Sequence, residues 1–295
     1  MPLNLTHLAA FHAVAETGSF SRGADKLMVS QPAVSKQVRL LERALSARLL
    51  DRHARGVTLT EAGDTLAEYA RRIFAAAREA EDALADLAGV RRGRLAIAAS
   101  TTIGTYLLPE VFVAFRRAFP GVRTTMEIAS SSAVARRVAA GEFDVGLIET
   151  NVDAPGIAIA AQGADELIGI VHPHHPLAKS GRASAERFCR EPFVVRDTGS
   201  ETKSFVERTL LGKGLTVEPV MSLGSTEAIK RAVAAGVGVA IVSRLSIGLE
   251  LKARTLAAVP LTNLRIRRPL YRITPAHHDP SPALTAFLRL LPTTR

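Results

Sequence analysis

A stretch of polar and basic side chains between Phe20 and Gly56 has the composition of a surface that binds a polyanion. It holds eight Lys or Arg residues against three Asp or Glu residues, a net +5 within a chain of 295 residues whose total is +10. Such a balance is expected of a protein that meets nucleic acid or another polyanion. The basic residues of the stretch are Arg22, Lys26, Lys36, Arg39, Arg43, Arg48, Arg52 and Arg55.

Three predicted helices position these side chains. Apolar residues at helical spacing predict a first helix over 5–17, which a glycine ends. Ser19 or Ser21 is suited to cap a short second helix over 22–28, and a third helix follows and ends near residue 45. Two helices joined by a tight turn, the second with a polar and basic face, predict a helix-turn-helix.

The third helix has two different faces. Ser30 is suited to its N-cap, and Pro32 to its first turn, where the missing N–H costs nothing. A buried stripe is predicted from apolar residues that step by four, three and four, namely Val34, Val38, Leu41 and Leu45. The predicted exposed side carries Gln31, Ser35, Lys36, Arg39 and Arg43.

Residues 49–59 predict a two-stranded wing beside this helix, with Arg52, His53 and Arg55 at its tip. Basic side chains in that place are suited to phosphates or to the minor groove.

A long helix then follows over 61–87, and its apolar stripe favours dimerisation. Packing of the stripe on its own domain is the alternative. The stripe consists of Ala62, Leu66, Tyr69, Ile73, Ala77, Ala80, Leu84 and Leu87.

The pattern changes beyond a linker at 89–93. Strands alternate with helices in two successive runs, which predicts parallel sheets with helices on both faces. An extended segment from Leu264 and a final helix over 281–291 indicate that the end of the chain packs on the first set of strands and helices. The fold class is therefore α/β, with two subdomains that the chain crosses between near Ala161 and near Leu264.

Polar residues follow several predicted strands, at the starts of the next helices. In open α/β sheets ligands lie beyond the carboxyl ends of strands, where helix N-termini favour an anion. These residues are Ser100, Thr102, Ser130, Ser131, Thr202, Lys203, Ser225 and Thr226. Capping alone would explain each hydroxyl, whereas together they predict a polar pocket for a small anion. Glu149 also ends a strand, and its carboxylate would repel an anion unless a Lys or a ligand hydroxyl meets it.

Several other classes of protein fit the sequence poorly. The single Cys189 excludes an internal disulfide. No export signal and no apolar run long enough to span a membrane are found, so we expect a cytoplasmic protein. The histidines at 172–175 and 277–278 lack a matched set of ligands, so we expect no metal and no cofactor. An enzyme would need a catalytic constellation that the sequence does not offer, and a solute-binding protein would need export.

Three stretches carry a family resemblance: residues 11–21 (FHAVAETGSFS), 24–38 (ADKLMVSQPAVSKQV) and 59–63 (LTEAG). They closely resemble the winged helix-turn-helix of LysR-type transcriptional regulators. The rest of the chain resembles the family's periplasmic-binding-protein-like effector domain in layout, and in the short stretches 197–202 (DTGSET) and 224–229 (GSTEAI). The implied partners are double-stranded DNA, a small and anionic effector, and further copies of the chain in a dimer of dimers. A membrane is not implied.

The resemblance also implies residue roles and domain bounds. It places Gln31, Pro32 and Ser35 against base edges, and Lys36 and Arg52 near phosphates, with Ser30, Arg39 and Arg55 beside them. Lys36 stands where the family commonly has Arg, so a point charge replaces a bidentate fork. The implied domains are 1–60 for DNA, 61–92 for dimerisation and 93–295 for the effector, the last with subdomain I (93–161 and 264–295) and subdomain II (162–263). The alternative function is a cytoplasmic small-molecule sensor without regulatory action on DNA.

Overall fold

The computed structural model describes residues 3–53, 56–86, 93–276 and 280–292. The chain forms two compact units, with the main division between residues 89 and 90. The first unit is helical apart from one small β-hairpin, and the second is a mixed α/β structure.

The first unit has the elements that its sequence predicts. Its second helix begins at Phe20 rather than at residue 22, because Ser19 and not Ser21 is the cap. Of the predicted linker at 89–93, residues 89–92 lie outside the described residues, and Gly93 is the first residue of a strand. The bounds are α1 (Leu5–Thr17), α2 (Phe20–Leu27), α3 (Gln31–Leu45), β1 (Leu50–His53), β2 (Gly56–Leu59) and α4 (Glu61–Asp86).

The turn between α2 and α3 is formed by a cap on each helix. Met28 ends α2 in the left-handed region, with φ of 55°. Ser30 then accepts a hydrogen bond from the N–H of Ala33 at 3.4 Å, and Pro32 lies in the first turn of α3. Both caps satisfy backbone groups that the helix ends would leave unpaired. The predicted start of the third helix is therefore confirmed.

The core of the first unit lies between α1, α2, α3 and the start of α4. On α3 the side chains of Val34, Val38 and Leu41 are at most 1% exposed. Leu45, predicted to continue the stripe, is 41% exposed. It is the last residue of α3, and the chain turns away at Ser46, so the stripe ends one step earlier than predicted.

The stripe on α4 is divided between this core and solvent. Leu66 and Ile73 pack, partly buried, against the core of the first unit, as the alternative reading expected. Tyr69 is instead 54% exposed. The other exposed members of the stripe are Ala62, Ala77 and Ala80. The side chains of Leu84 and Leu87 lie outside those that the structure describes.

The second unit alternates strands and helices. Its strands are β3 (Gly93–Ala99), β4 (Val122–Ile128), β5 (Val145–Ile148), β6 (Ile157–Val171), β7 (Phe193–Arg196), β8 (Pro219–Leu223), β9 (Ala240–Ser243), β10 (Ala257–Val259) and β11 (Ile266–Pro275). Its α-helices are α5 (Leu108–Ala118), α6 (Ser131–Ala139), α7 (Pro176–Ser180), α8 (Ala185–Cys189), α9 (Glu201–Leu211), α10 (Thr226–Ala234), α11 (Gly248–Ala253) and α12 (Pro282–Leu290). The sequence pattern does not predict α7, α8, α11 or β10, which are all short.

One sheet runs through the second unit in the order β10-β6-β11-β5-β3-β4, and β9 also pairs with β6. The pairs of β3 with β4 and β5, and of β7 with β8, are parallel, as predicted. Strand β11 is antiparallel to both β6 and β5. Strands β9 and β10 are also antiparallel to β6. The expectation of purely parallel sheets is therefore wrong around β6 and β11, because β6 carries the chain out of subdomain I and β11 carries it back.

The ladder between β6 and β11 contains the crossing point. Its register shifts between Leu270 and Tyr271, opposite Gly163 and Ala161. The shift leaves Gln162 without a ladder partner, and a residue inserted in this way bends a strand. The predicted crossing near Ala161 coincides with this irregularity, whereas on the returning strand it lies beyond the predicted Leu264. Each side of it has its own apolar core, around Phe115 and Phe287 in subdomain I and around Phe188 and Phe193 in subdomain II.

Candidate functional site

The polar side of α3 faces solvent in the first unit. Gln31, Pro32, Lys36 and Arg39 are exposed, and so is the cap Ser30. The guanidinium Nε of Arg39 donates a hydrogen bond to a carbonyl oxygen one turn earlier on α3, at 3.2 Å. An amide, an ammonium and a guanidinium group on one rigid helix match the base edges and phosphates of a duplex.

Ser35 does not belong to this exposed face. It is only 7% exposed, beside the buried Val34 on the core side of α3. Because residues three apart on a helix are surface neighbours, Ser35 lies next to Val38, which is 1% exposed. The exposed position predicted for Ser35 is therefore wrong, and its small side chain allows close packing of α3 on the core.

The wing is present as an antiparallel pair. The backbone of Arg52 pairs with Val57 and that of His53 with Gly56. The imidazole Nε2 of His53 lies 2.9 Å from the hydroxyl oxygen of Thr58. The side chain of Arg52 is not among the described ones, and Arg55 lies outside the described residues. The basic tip of the wing thus stays a prediction.

Some of the predicted cleft hydroxyls in the second unit are helix caps. Ser130 accepts a hydrogen bond from a backbone N–H in the first turn of α6 at 3.3 Å. Ser225 does the same for α10 at 3.1 Å. The cap of α9 is Ser200, two positions before the predicted Thr202. For Ser130 and Ser225 the capping alternative is the one that the structure shows.

The neighbouring hydroxyls contact guanidinium groups instead. Thr202 accepts a hydrogen bond from Nη1 of Arg268 at 2.8 Å, and the hydroxyl of Thr102 lies 3.5 Å from Nη2 of the same residue. The hydroxyl of Thr226 lies 3.5 Å from Nη1 of Arg196. At the start of α10 the two neighbouring hydroxyls thus differ, because Ser225 turns back to its helix and Thr226 turns to a cation.

Arg268 is the centre of a buried ionic cluster. Its Nη1 bonds the carboxylate of Glu149 at 2.7 Å, and its Nη2 bonds that of Asp165 at 2.6 Å. Asp165 also accepts a hydrogen bond from the hydroxyl of Ser243 at 2.9 Å. Arg268 and Asp165 are direct partners in the ladder of β11 and β6. The carboxylate of Glu149, which the sequence left unmatched, is therefore met by an arginine of the crossing strand.

This cluster contains one guanidinium for two carboxylates. Burial raises the pKa of Glu149, and Arg268 opposes the rise while the nearby Glu201 adds to it. Burial also raises the pKa of Asp165, again against the effect of Arg268. With both carboxylates ionised the cluster holds an excess negative charge in a low dielectric, so the cluster favours retention of a proton.

Glu201 joins the two subdomains. It is the first residue of α9 in subdomain II, and its carboxylate accepts hydrogen bonds from the N–H of Ser131 at 2.8 Å and from the hydroxyl of Ser131 at 2.5 Å. The hydroxyl of Thr150 donates a third bond at 3.2 Å. Both donor residues belong to subdomain I, so the N-terminus of α6 binds a carboxylate of the same chain.

A second contact of this kind involves Tyr106 and Glu227. The phenol of Tyr106, in subdomain I, donates a hydrogen bond to the carboxylate of Glu227 at 2.8 Å. Glu227 also pairs with the buried ammonium of Lys230 at 2.6 Å, and that ammonium lies 5.3 Å from the centroid of the Tyr106 ring. Burial, reinforced by the Glu227 carboxylate, raises the pKa of Tyr106.

A small pocket with an interior of about 30 Å³ lies beside Tyr106 in the second unit. Arg196 and Lys203 bring positive charge to it, with the hydroxyls of Thr102, Thr202 and Thr226. Lys203 is paired only loosely, at 3.8 Å from a carboxylate one turn further along α9. Glu207 also lines the pocket, so two cations stand against one carboxylate. The net positive charge, with hydroxyl groups around an apolar floor, suits a small anion.

Family models match both parts of the chain. The LysR substrate binding domain matches residues 88–294, and the bacterial regulatory helix-turn-helix protein of the lysR family matches residues 5–64. The first of these alone spans more than half of the sequence. The chain belongs to the LysR family of transcriptional regulators. The expected family, fold and regulatory rather than enzymatic function are therefore confirmed.

Curated relatives of this LysR-type regulator match it almost from end to end. A probable RuBisCO transcriptional regulator of Cyanidioschyzon merolae is 37% identical over 293 residues, which cover 97% of each chain. The RuBisCO operon transcriptional regulator of Allochromatium vinosum is 34% identical over 289 residues, which cover 97% of this chain and 95% of the relative.

Solved structures share the fold of the regulator at lower identity. Full-length OxyR from Pseudomonas aeruginosa has a TM-score of 0.79 at 21% identity and covers 100% of this chain and 97% of its own. Full-length CbnR in complex with its target DNA has a TM-score of 0.66 at 24% identity, with 98% of both chains covered. The regulatory domain of Synechocystis CcmR in complex with 2-PG has a TM-score of 0.61 at 24% identity and covers 68% of this chain and 96% of its own.

Arg268, Asp165 and Glu201 of this LysR-type regulator are functional-site residues that the sequence pattern does not predict. One signal for Arg268 was available, because it alternates in register with Ile266 and Leu270, which are at most 2% exposed. A period of two places all three on the same side of the strand. No such local signal marks Glu201, whose partners lie 51 and 70 positions away.

One of the histidines singled out from the sequence has a structural role. The imidazole of His175 caps α7, accepting a hydrogen bond from a backbone N–H at 3.2 Å. Among the described residues no group of three His, Cys, Asp or Glu side chains is placed to hold a metal ion. Burial raises the pKa of Cys189. No helix in the described part of the regulator is long and apolar enough to cross a membrane.

Proposed function

We propose that this LysR-type regulator controls a RuBisCO operon in the cytoplasm in response to a small anion bound in the second unit. The observation that carries the target is the match to RuBisCO regulators over 97% of the chain. The pocket with Arg196 and Lys203 supports the anionic effector. Ser100 supports it as well, since it is 2% exposed and its hydroxyl has no hydrogen-bond partner among the described residues.

We propose that DNA is read by the exposed side of α3. Gln31 suits adenine through its amide, Pro32 suits a thymine methyl group, and Lys36 suits a phosphate. Arg39 lies one turn further along the same face and adds a second charge. Arg52 and Arg55 extend the charged surface to the wing in this proposal. Ser35 is left out, because it is buried.

We further propose that copies of the chain associate through α4 as a dimer, with a dimer of dimers as the full assembly. The exposed part of the α4 stripe supports this, because Tyr69 and the alanines at 62, 77 and 80 leave an apolar surface in water. Leu66 and Ile73 contribute only their exposed fraction, since both also pack on the core of the first unit. Small side chains on a long helix allow a second helix to approach closely.

Two binding assays test the proposal. Fluorescence anisotropy with DNA from upstream of the RuBisCO genes should give tighter binding than random DNA of equal length, since base contacts add to phosphate contacts. The alternative, a sensor without regulatory action, predicts no difference between the two DNAs.

Calorimetry with 2-PG and with inorganic phosphate tests the pocket. We expect Lys203→Met to weaken anion binding about tenfold, which corresponds to about 1.4 kcal/mol. Lys213→Met is the matched control, because Lys213 is an exposed lysine outside the pocket. Equal anion affinity in both variants would place the effector elsewhere.

A further inference from the structure

The carboxylate of Glu201 has the partners that a bound anion would have. It accepts three hydrogen bonds across the cleft, two from Ser131 and one from Thr150. Ser131 is 1% exposed, so these bonds form away from bulk water. One donor is a backbone N–H at the start of α6, where the helix dipole also favours negative charge.

Glu201 is held to subdomain I rather than to its own helix. Ser200 caps α9, so the carboxylate of Glu201 is free of the capping task and extends to the other subdomain. Glu227, in the first turn of α10, extends in the same way to Tyr106. Both contacts join a carboxylate of subdomain II to donors of subdomain I, so both bridge the cleft.

We propose that Glu201 is an internal latch, which closes the cleft from the position that an acidic group of the effector would take. This inference rests on the proposed function, since it supposes an anionic effector in the same cleft. Effector binding then exchanges one carboxylate for another at Ser131 and Thr150. The net gain in affinity is the difference between the two sets of bonds, and only that difference shifts the population of closed molecules.

The exchange gives the latch a defined role in the response. An effector that merely replaced Glu201 at equal strength would leave the cleft as closed as before. A useful effector must therefore also reach groups that Glu201 does not touch, and the pocket offers Arg196 and Lys203 for that purpose. In this way the latch selects against small monovalent anions, which fill its place but cannot reach both cations.

Hydrogen exchange at Ser131 tests the latch in the full-length protein. In Glu201→Ala the N–H of Ser131 loses its acceptor, and we expect it to exchange at least about tenfold faster. Formate, a free carboxylate, should restore slow exchange in this variant and leave the parent unchanged. Glu186→Ala is the matched control, because Glu186 also lies in the first turn of a helix but bonds Asn263 within subdomain II.

A distance measurement separates a latch from a local contact. Spin labels at positions 110 and 213, which are exposed and lie in different subdomains, report the opening of the cleft in a Cys189→Ser background. We expect a longer and broader distance distribution in Glu201→Ala, and a return towards the parent distribution with formate. Glu201→Gln, which keeps the shape and one acceptor oxygen, should fall between the two and serves if the alanine variant folds poorly.

Some results would overturn the latch. An unchanged distance distribution in both Glu201 variants, or exchange at Ser131 that formate does not slow, would show that Glu201 only neighbours the cleft. If formate restores both signals while neither 2-PG nor phosphate binds the parent, the latch stands and the anionic effector of the proposed function falls.

Discussion

The exposed face of α3 and the cleft of the second unit differ in what their polar side chains contact. On α3 the side chains of Gln31, Lys36 and Arg39 extend into solvent. In the cleft, the carboxylate of Glu149 is paired with Arg268, and that of Glu201 is bonded to Ser131. The exposed polar side chains of α3 can bind another molecule without first breaking bonds within the chain. The cleft binds a ligand only by exchanging internal partners, which makes binding a conformational event.

The largest effect should come from breaking the buried cluster. Arg268→Met would leave Glu149 and Asp165 buried without their cation, at a cost of about 3–5 kcal/mol in the free energy of unfolding. Urea unfolding of the second unit measures this. The matched control is Arg267→Met, because Arg267 is exposed on the same strand and should change stability by less than about 0.5 kcal/mol. Similar losses in both variants would contradict the role of the cluster.

The face of α3 should respond in affinity rather than in stability. Gln31→Ala should cost about 1–3 kcal/mol of binding at one base pair of the operator, with little change on random DNA. Anisotropy titrations with operator variants that differ at single base pairs locate this loss. If operator and random DNA lose affinity equally, Gln31 does not read a base.

The apolar surface of α4 should respond in assembly. Tyr69→Glu puts a charge on the exposed part of the stripe and spares the core that holds Leu66 and Ile73. We expect dimer affinity to fall about tenfold, or about 1.4 kcal/mol. Sedimentation over a range of concentrations measures this. Glu68→Gln, an exposed neighbour off the stripe, is the control, and equal dimer affinity in both variants would mean that α4 does not hold two chains together.

The smallest effect concerns pH. Burial raises the pKa of Glu149 in the folded chain, so the folded state binds that proton more tightly than the unfolded state does. Stability should therefore fall as pH rises from the usual pKa of a glutamate through the raised value. Glu149→Gln removes the part of this decrease in stability that Glu149 causes. The part that Asp165 causes remains, because its pKa is also raised. Urea unfolding from about pH 4 to about pH 8 should show a shallower slope for the variant, and an unchanged slope would contradict this reading.

The sequence predicts the first unit better than the second for a physical reason. Caps, the turn and the exposed face of α3 depend on residues within a few positions of each other, and Ser30 and Pro32 are recognisable from that spacing. The cluster of Arg268 joins residues 103 and 119 positions apart. Residues so far apart in the sequence come together only when the strands pair in the folded chain, so a local pattern does not predict their contacts. Ser35 shows the limit of the local pattern, because it lies at the border between the two faces of α3 and only the packing decides whether it is covered.

DNA binding by variants of the two regions shows whether α3 and the cleft have separate roles. Full-length Gln31→Ala/Lys36→Ala and Thr202→Val should be titrated, without effector, against DNA from upstream of the RuBisCO genes and against random DNA. We expect the α3 variant to lose at least about tenfold in operator affinity, whereas Thr202→Val should stay within about twofold of the parent. Retained operator affinity in the α3 variant, or a loss confined to Thr202→Val, would contradict the separation of a DNA-reading face from an effector cleft.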